Sequence, residues 1–216
     1  LILILASTLR LSPLEDLTRG SLEWGEGATM EAAAQPFSRI AQTLVPDQGP
    51  FKYYLLRLML HFGRDEFLLR FPAFFFDLAS ILLLFFLGIR LFNKKAALWA
   101  CLFIAVSPWH IHHAALARNY PLYNFLGISS TFFLYKAVCL NRVRDWIAFS
   151  LMSTFSFYAF FPSMFLFIAQ AAWFFVCYGR RADLIKRFCV SSVLFMAMIA
   201  PIAGKLIEAF DRKRNF

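Results

Sequence analysis

Phe71-Pro72-Ala73-Phe74-Phe75-Phe76-Asp77-Leu78-Ala79-Ser80-Ile81-Leu82-Leu83-Leu84-Phe85-Phe86-Leu87-Gly88-Ile89-Arg90-Leu91-Phe92-Asn93-Lys94-Lys95 is the stretch that decides the fold. From Phe71 to Ile89 a single charge, Asp77, interrupts the apolar run. A helix needs about twenty such residues to cross the hydrocarbon core of a bilayer, because only a helix or a closed barrel satisfies its backbone there. The basic group Arg90, Lys94 and Lys95 closes the run, as cytoplasmic flanks do.

The same motif repeats outward. Lys136, Arg142 and Arg144 form a second basic cluster, and Arg180, Arg181, Lys186 and Arg187 a third, each separated from the one before by two apolar runs. With all three clusters on the cytoplasmic side, residues 71–92, 96–115, 121–137, 146–161, 163–178 and 188–206 alternate in direction as six spans. Residues 1–6 read as the last turns of a partial first span, residues 7–70 as an external segment with interfacial helices, 71–207 as the transmembrane bundle and 208–216 as an external tail. The expected fold is therefore all-α, a polytopic membrane bundle. Sixty per cent of the 216 residues are hydrophobic and 28 are Phe, which excludes a water-soluble domain. The 22 Lys and Arg against 13 Asp and Glu sit between apolar runs rather than along one face, so they read as membrane orientation and not as a nucleic-acid surface. Cys101, Cys139, Cys177 and Cys189 have neither close spacing nor His partners, so no disulfide framework or zinc site is expected.

Eight of the thirteen acids (Glu15, Asp16, Glu23, Glu26, Glu31, Asp47, Asp65 and Glu66) lie in residues 7–70. There Arg57, His61 and Arg64 follow an i, i+4, i+7 pattern, one stripe of a short helix too small to span and expected to lie in the interface, its bases toward headgroups. Three polar patches converge on the external side: Glu23-Trp24-Gly25-Glu26, Asp47-Gln48-Gly49-Pro50-Phe51-Lys52-Tyr53-Tyr54, and Ser107-Pro108-Trp109-His110-Ile111-His112-His113 leading to Ala117-Arg118-Asn119-Tyr120.

Together with Leu69-Arg70-Phe71-Pro72, this ordered set resembles the membrane-embedded glycosyltransferases of the protein mannosyltransferase and lipid A aminoarabinose transferase group, whose donors are sugars on polyprenyl phosphates. The resemblance implies the class C glycosyltransferase fold and transfer from a polyprenyl-phosphate sugar to a glycan, lipid or protein acceptor on the extracytoplasmic face of a bacterial or archaeal cell membrane. Two positions depart from the pattern. Gly25 stands where an Asp usually precedes the second acid, and Leu116 where an acid often precedes Ala-Arg-x-Tyr.

Such a transfer needs a carboxylate to take the acceptor's proton and cationic groups to hold the departing phosphate. Glu26 and Glu23 are the candidate bases, against the plainer account of solvated loop acids. Arg118 is a candidate phosphate contact, since a guanidinium forks onto phosphate oxygens, and Lys52 and Tyr120 are candidates by the resemblance; snorkelling to headgroups is the plainer account for the two cations. Asp47, Asp77 and His110 are supporting candidates. Asp77, inside an apolar run, is expected to face the bundle interior and pair with Arg118 or Arg70. His110, His112 and His113 beside Trp109 match an interfacial belt better than a zinc or manganese site, so no cofactor is assigned from sequence and a divalent cation is the lesser alternative. The alternative function is a non-catalytic lipid-binding or assembly subunit on the same scaffold. A transporter would need more mid-membrane polarity than Ser129, Ser130, Thr131 and Gln170 supply.

Overall fold

The computed structural model describes residues 1–18, 24–40, 49–63 and 65–214. All the elements are helices: α1 (Ile2–Thr18), α2 (Trp24–Ala34), α3 (Phe37–Ile40), α4 (Phe51–Met59), α5 (Glu66–Leu91), α6 (Lys94–Val106), α7 (Pro108–Ala114), α8 (Tyr120–Leu140), α9 (Val143–Ala159), α10 (Ser163–Tyr178) and α11 (Ala182–Arg214). No strand occurs among the described residues. By length and composition two helices can cross a membrane, α5 and the Ala182–Ile202 part of α11, and shorter apolar helices cover Ile2–Pro13 and Ser163–Tyr178. The first helix continues well beyond Ala6, to Thr18.

Local rules place several boundaries. Asn93 caps α6, its Oδ1 accepting the Ala96 N–H at 2.9 Å. The apolar run expected as one piece over residues 96–115 is two helices. Ser107 is extended (φ −67°, ψ 120°) because a residue before proline is pushed out of the helical region, and Pro108 then opens α7, where its missing N–H costs nothing. Asn141 turns the chain between α8 and α9 at φ 48°, a left-handed conformation that Asn tolerates. The basic stripe expected to face headgroups is partly used internally: Arg57 Nη1 donates to the Ala34 carbonyl at 2.9 Å, satisfying the end of α2.

The chain forms two compact units, Leu1–Thr43 with Pro50–Ile128 and Leu44–Gly49 with Ser129–Phe216, the division falling within α8. In the first, α1, α5 and α6 enclose Ala6, Ile81, Cys101 and Ala105, while Ala33, Leu56 and Leu69 join α2, α4 and α5. In the second, α9 and α11 are tied by neutral hydrogen bonds from Ser150 Oγ to the Ser191 carbonyl (2.9 Å) and from the Tyr158 hydroxyl to the Met198 carbonyl (2.7 Å). Stacked rings fill the rest, with Phe174 on Phe188 at 4.3 Å and Phe167 on Phe195 at 4.4 Å. Gln170 Nε2 donates to Ser130 Oγ (2.8 Å) and Thr131 Oγ1 (2.9 Å), so these polar groups satisfy one another. Gly49 lies so close to the Tyr158 carbonyl that a Cβ there would collide with it.

Helices α5 and α6 approach through small residues. A Cβ at Gly88 would sit 2.9 Å from the Cβ and 3.1 Å from the Cα of Ala97. Gly88→Val is expected to separate the hairpin and cost about 1–3 kcal/mol, as overpacking does. A lowered melting temperature in detergent reads this, with Gly204→Val, where a Cβ meets nothing within 4 Å, unchanged as the comparison.

Candidate functional site

Helix α5 presents Arg70 and Asp77 on one face of the first unit, two turns apart, and both are buried. Arg70 is fully enclosed and grips Glu26, itself only 2% exposed in the first turn of α2. Arg70 Nε donates to Glu26 Oε1 at 3.0 Å and Nη2 to Oε2 at 2.7 Å, a two-pronged charge-assisted contact. The Ala117 N–H also donates to Oε1, at 2.8 Å, and Arg70 Nη1 reaches Glu66 Oε2 at 3.4 Å. Glu26 therefore joins α2, α5 and the turn before α8. The position of its carboxylate near the N-terminus of α2 suits the helix dipole.

Beside this pair lies a cavity of ≈ 20 Å³, whose walls include Lys52, Leu56, Ala73, Phe76, Ala117 and Arg118. That is room for about one water molecule. Lys52, buried on α4, donates to Thr29 Oγ1 at 3.4 Å, and its ammonium sits 4.7 Å from the centre of the Tyr53 ring. Arg118 is half-buried, in a tight turn where its N–H donates to the Leu116 carbonyl at 2.7 Å. The fold thus gathers three of the candidates named from sequence: Lys52 and Arg118 share the cavity wall, and Ala117 links that wall to Glu26. Tyr120 belongs to an aromatic cluster, its ring 5.5 Å from Trp109 and 4.7 Å from His113. Glu23 and Asp47 lie outside the described residues.

Asp77 faces the interior as its setting requires, but its partners are neither Arg118 nor Arg70. Arg10 of α1 donates from Nε to Asp77 Oδ2 at 2.6 Å, and His110 Nδ1 lies 3.1 Å from Oδ1. The rest of the Arg10 guanidinium is spent on carbonyls: Nη1 on Ala6 (3.1 Å) and Ala105 (2.9 Å), Nη2 on Ile104 (3.2 Å). Sequence reasoning missed Arg10 and the role of Arg70 as Glu26's partner. The signal for Arg10 was available, since an Arg one turn beyond an apolar run has to find an interior acid. Its identity was not, because 67 residues separate it from Asp77. Among the described residues no group of three or more His, Cys, Asp or Glu side chains is arranged to hold a metal ion.

The family described as dolichyl-phosphate-mannose-protein mannosyltransferase matches residues 47–204. No curated protein and no solved structure matches the chain.

The two ion pairs make a stability prediction. Removing one member of a buried pair strands the other, which costs about 3–5 kcal/mol, whereas replacing both by apolar residues is often neutral. Arg10→Met alone is expected to lower the unfolding midpoint in mixed micelles sharply, and Arg10→Met with Asp77→Leu to recover most of the loss. An unchanged midpoint for the single variant would mean that Asp77 does not depend on Arg10.

Proposed function

The chain belongs to the dolichyl-phosphate-mannose-protein mannosyltransferase family, and on that premise we propose that it is a membrane glycosyltransferase moving a hexosyl or pentosyl group from a polyprenyl phosphate to an acceptor on the extracytoplasmic face. The observation that supports this most is the shared cavity wall of Lys52 and Arg118 beside the buried Glu26.

Charge develops on the donor phosphate as its bond to the sugar breaks. Two cations gathered beside that charge would stabilise the transition state more than the ground state. Arg118 offers a planar fork for two phosphate oxygens and Lys52 a compact charge. Tyr120 is the further candidate contact for the donor. A cavity with room for one water does not hold a phosphosugar, so donor binding has to widen it. On the acceptor side a carboxylate takes the hydroxyl proton. Glu26 serves as that base or orients the acceptor, with Glu23 as the other candidate base and Asp47, Asp77 and His110 in support. Both Glu26 oxygens already accept hydrogen bonds. In either role Glu26 has to share or exchange one of these partners with the acceptor hydroxyl, while its bond to the Ala117 N–H sets Ala117 and, through it, the backbone of Arg118.

That same engagement of Glu26, with Gly25 and Leu116 in place of carboxylates, favours a second reading: a subunit that keeps the scaffold and binds lipid without transferring sugar. Transfer of radiolabelled sugar from a panel of polyprenyl phosphosugars, in membranes bearing the full-length protein, separates the two. The glycosyltransferase reading expects Arg118→Ala to lower kcat about 10²–10³-fold, the loss seen when one donor to a developing charge is removed. Lys52→Gln should lose activity as well. Transfer surviving Glu26→Gln in folded protein moves the base elsewhere, and donor binding without transfer from any donor selects the second reading.

A further inference from the structure

The second unit carries a groove that the proposed transfer does not use. It is ≈ 210 Å³ in volume and runs between the first turns of α9 and α11. Val143 and Ile147 form one wall, one turn apart on α9, and Val190 and Leu194 the other. Lys186 and Arg187 stand at the mouth. Lys186, Val190 and Leu194 follow at i, i+4 and i+8, so the groove extends about 12 Å along α11. Its exposed surface is apolar throughout, because the two cations contribute only their hydrocarbon stems. The walls are open: Val190 is 70% exposed, Val143 62% and Ile147 45%.

The mouth is strongly and persistently positive. Lys136, Arg142, Arg144, Arg180, Arg181, Lys186 and Arg187 lie in the segments that bound this end of the unit, with Asp145 and Asp183 the only acids among them. Each carboxylate faces one of these seven cations, Asp145 facing Lys136 at 3.3 Å and Asp183 facing Arg181 at 3.2 Å, which leaves a surplus of positive charge. Among the described residues Arg142, Arg144, Arg180 and Lys186 make no ion pair. Arg187 is also fixed in place, since its Nη1 donates to the Asn141 carbonyl at 2.6 Å in the left-handed turn between α8 and α9. A cation held by the fold loses less freedom on meeting an anion than one on a mobile stem.

We propose that this groove binds an anionic membrane phospholipid, with one acyl chain between α9 and α11 and its phosphate against Lys186 and Arg187. Three properties choose this occupant. An apolar slot continuous with the flank of a helix long enough to cross a membrane is wetted by lipid tails. Its mouth lies at the basic end of the second unit, at the start of the span-length part of α11, where a lipid beside that helix would place its headgroup. The surplus positive charge selects an anionic over a zwitterionic head. A second copy of the chain is a poorer fit, because a two-fold contact on this face sets each cationic mouth against its own equivalent.

The test uses the full chain in nanodiscs of phosphatidylcholine alone or mixed with phosphatidylglycerol, counting retained lipid by native mass spectrometry and following the melting temperature. Wild type is expected to retain phosphatidylglycerol preferentially and to melt higher in its presence. Lys186→Gln should weaken that retention about fivefold, the effect of one cation near a lipid surface. Val190→Trp, which fills the slot and leaves every charge in place, should weaken it as well. Lys94→Gln with Lys95→Gln, exposed cations of the first unit, should leave it unchanged. Equal loss in that control and in Lys186→Gln would overturn the proposal by reducing the effect to diffuse charge. Retention undiminished by Val190→Trp would overturn it too, as would conversion of a dimer to a monomer by Val190→Trp without change in bound lipid.

Discussion

The constraint on which the first unit depends is that a charge withdrawn from water has to meet its opposite inside the protein. Helix α5 carries one of each sign, Arg70 and Asp77, about 10.5 Å apart along the axis. Each is answered from a different early helix, Arg70 by Glu26 of α2 and Asp77 by Arg10 of α1. The signs make the arrangement selective. Exchanging the two early helices would bring arginine to arginine and carboxylate to carboxylate, so the pairs fix which segment lies against which turn of α5. Hydrophobic contact among Ala6, Ile81 and Ala105 has no such preference.

The candidate site inherits its geometry from one of these pairs. Arg70 immobilises Glu26, Glu26 holds the Ala117 N–H, and Ala117 shares the cavity wall with Arg118 and Lys52. The links from Arg70 to Arg118 are hydrogen bonds or a covalent neighbour, so the Arg118 backbone is tied to the turn of α5 that bears Arg70, while Lys52 is tied to α2 through Thr29. The other pair reaches the same face of the unit differently. His110, partly exposed beside the buried Asp77, connects the Arg10 pair to the aromatic group of Trp109, His113 and Tyr120.

What sequence made legible follows from range. The run after Phe71 declares itself, since its length and its single interior charge admit few structures, and α5 indeed extends over it. Asp77 had to face inward for the same reason. Its partner was illegible: three arginines could answer it, and sequence carries no distances between residues that lie 67 apart. The break at Ser107 was the reverse case. Its cause is local, a proline following a serine, yet the apolar run on both sides outweighed it in the reading. Glu26, Lys52 and Arg118 were singled out by the order of motifs. That Lys52 and Arg118 line one small cavity, with Glu26 bonded to its wall at Ala117, depends on the α2, α4 and α5 packing around Leu56 and Leu69, which no spacing rule encodes.

The two units meet the demands of an apolar surrounding by different chemistry. The first buries two ion pairs whose members are both enclosed. The second buries hydroxyls, one amide and stacked rings, and its ionic contacts lie at the basic end, where Asp145 is buried against a half-buried Lys136 and the pair of Arg181 with Asp183 is exposed. A hydroxyl bonded to a backbone carbonyl in its own or a neighbouring helix, as Ser150 and Thr154 are, satisfies itself with little constraint on register. Phenyl stacks tolerate small slides. An ion pair does not, because displacement leaves two uncompensated charges. The rigid, expensive contacts of the first unit are its two buried ion pairs, and one of them, Arg70 with Glu26, holds the Ala117 wall of the small cavity. In the candidate site, whose residues 26, 52, 70 and 118 lie on four separate segments, the pair of Arg70 with Glu26 and the bond from the Ala117 N–H join three of those segments, which no one helix could do.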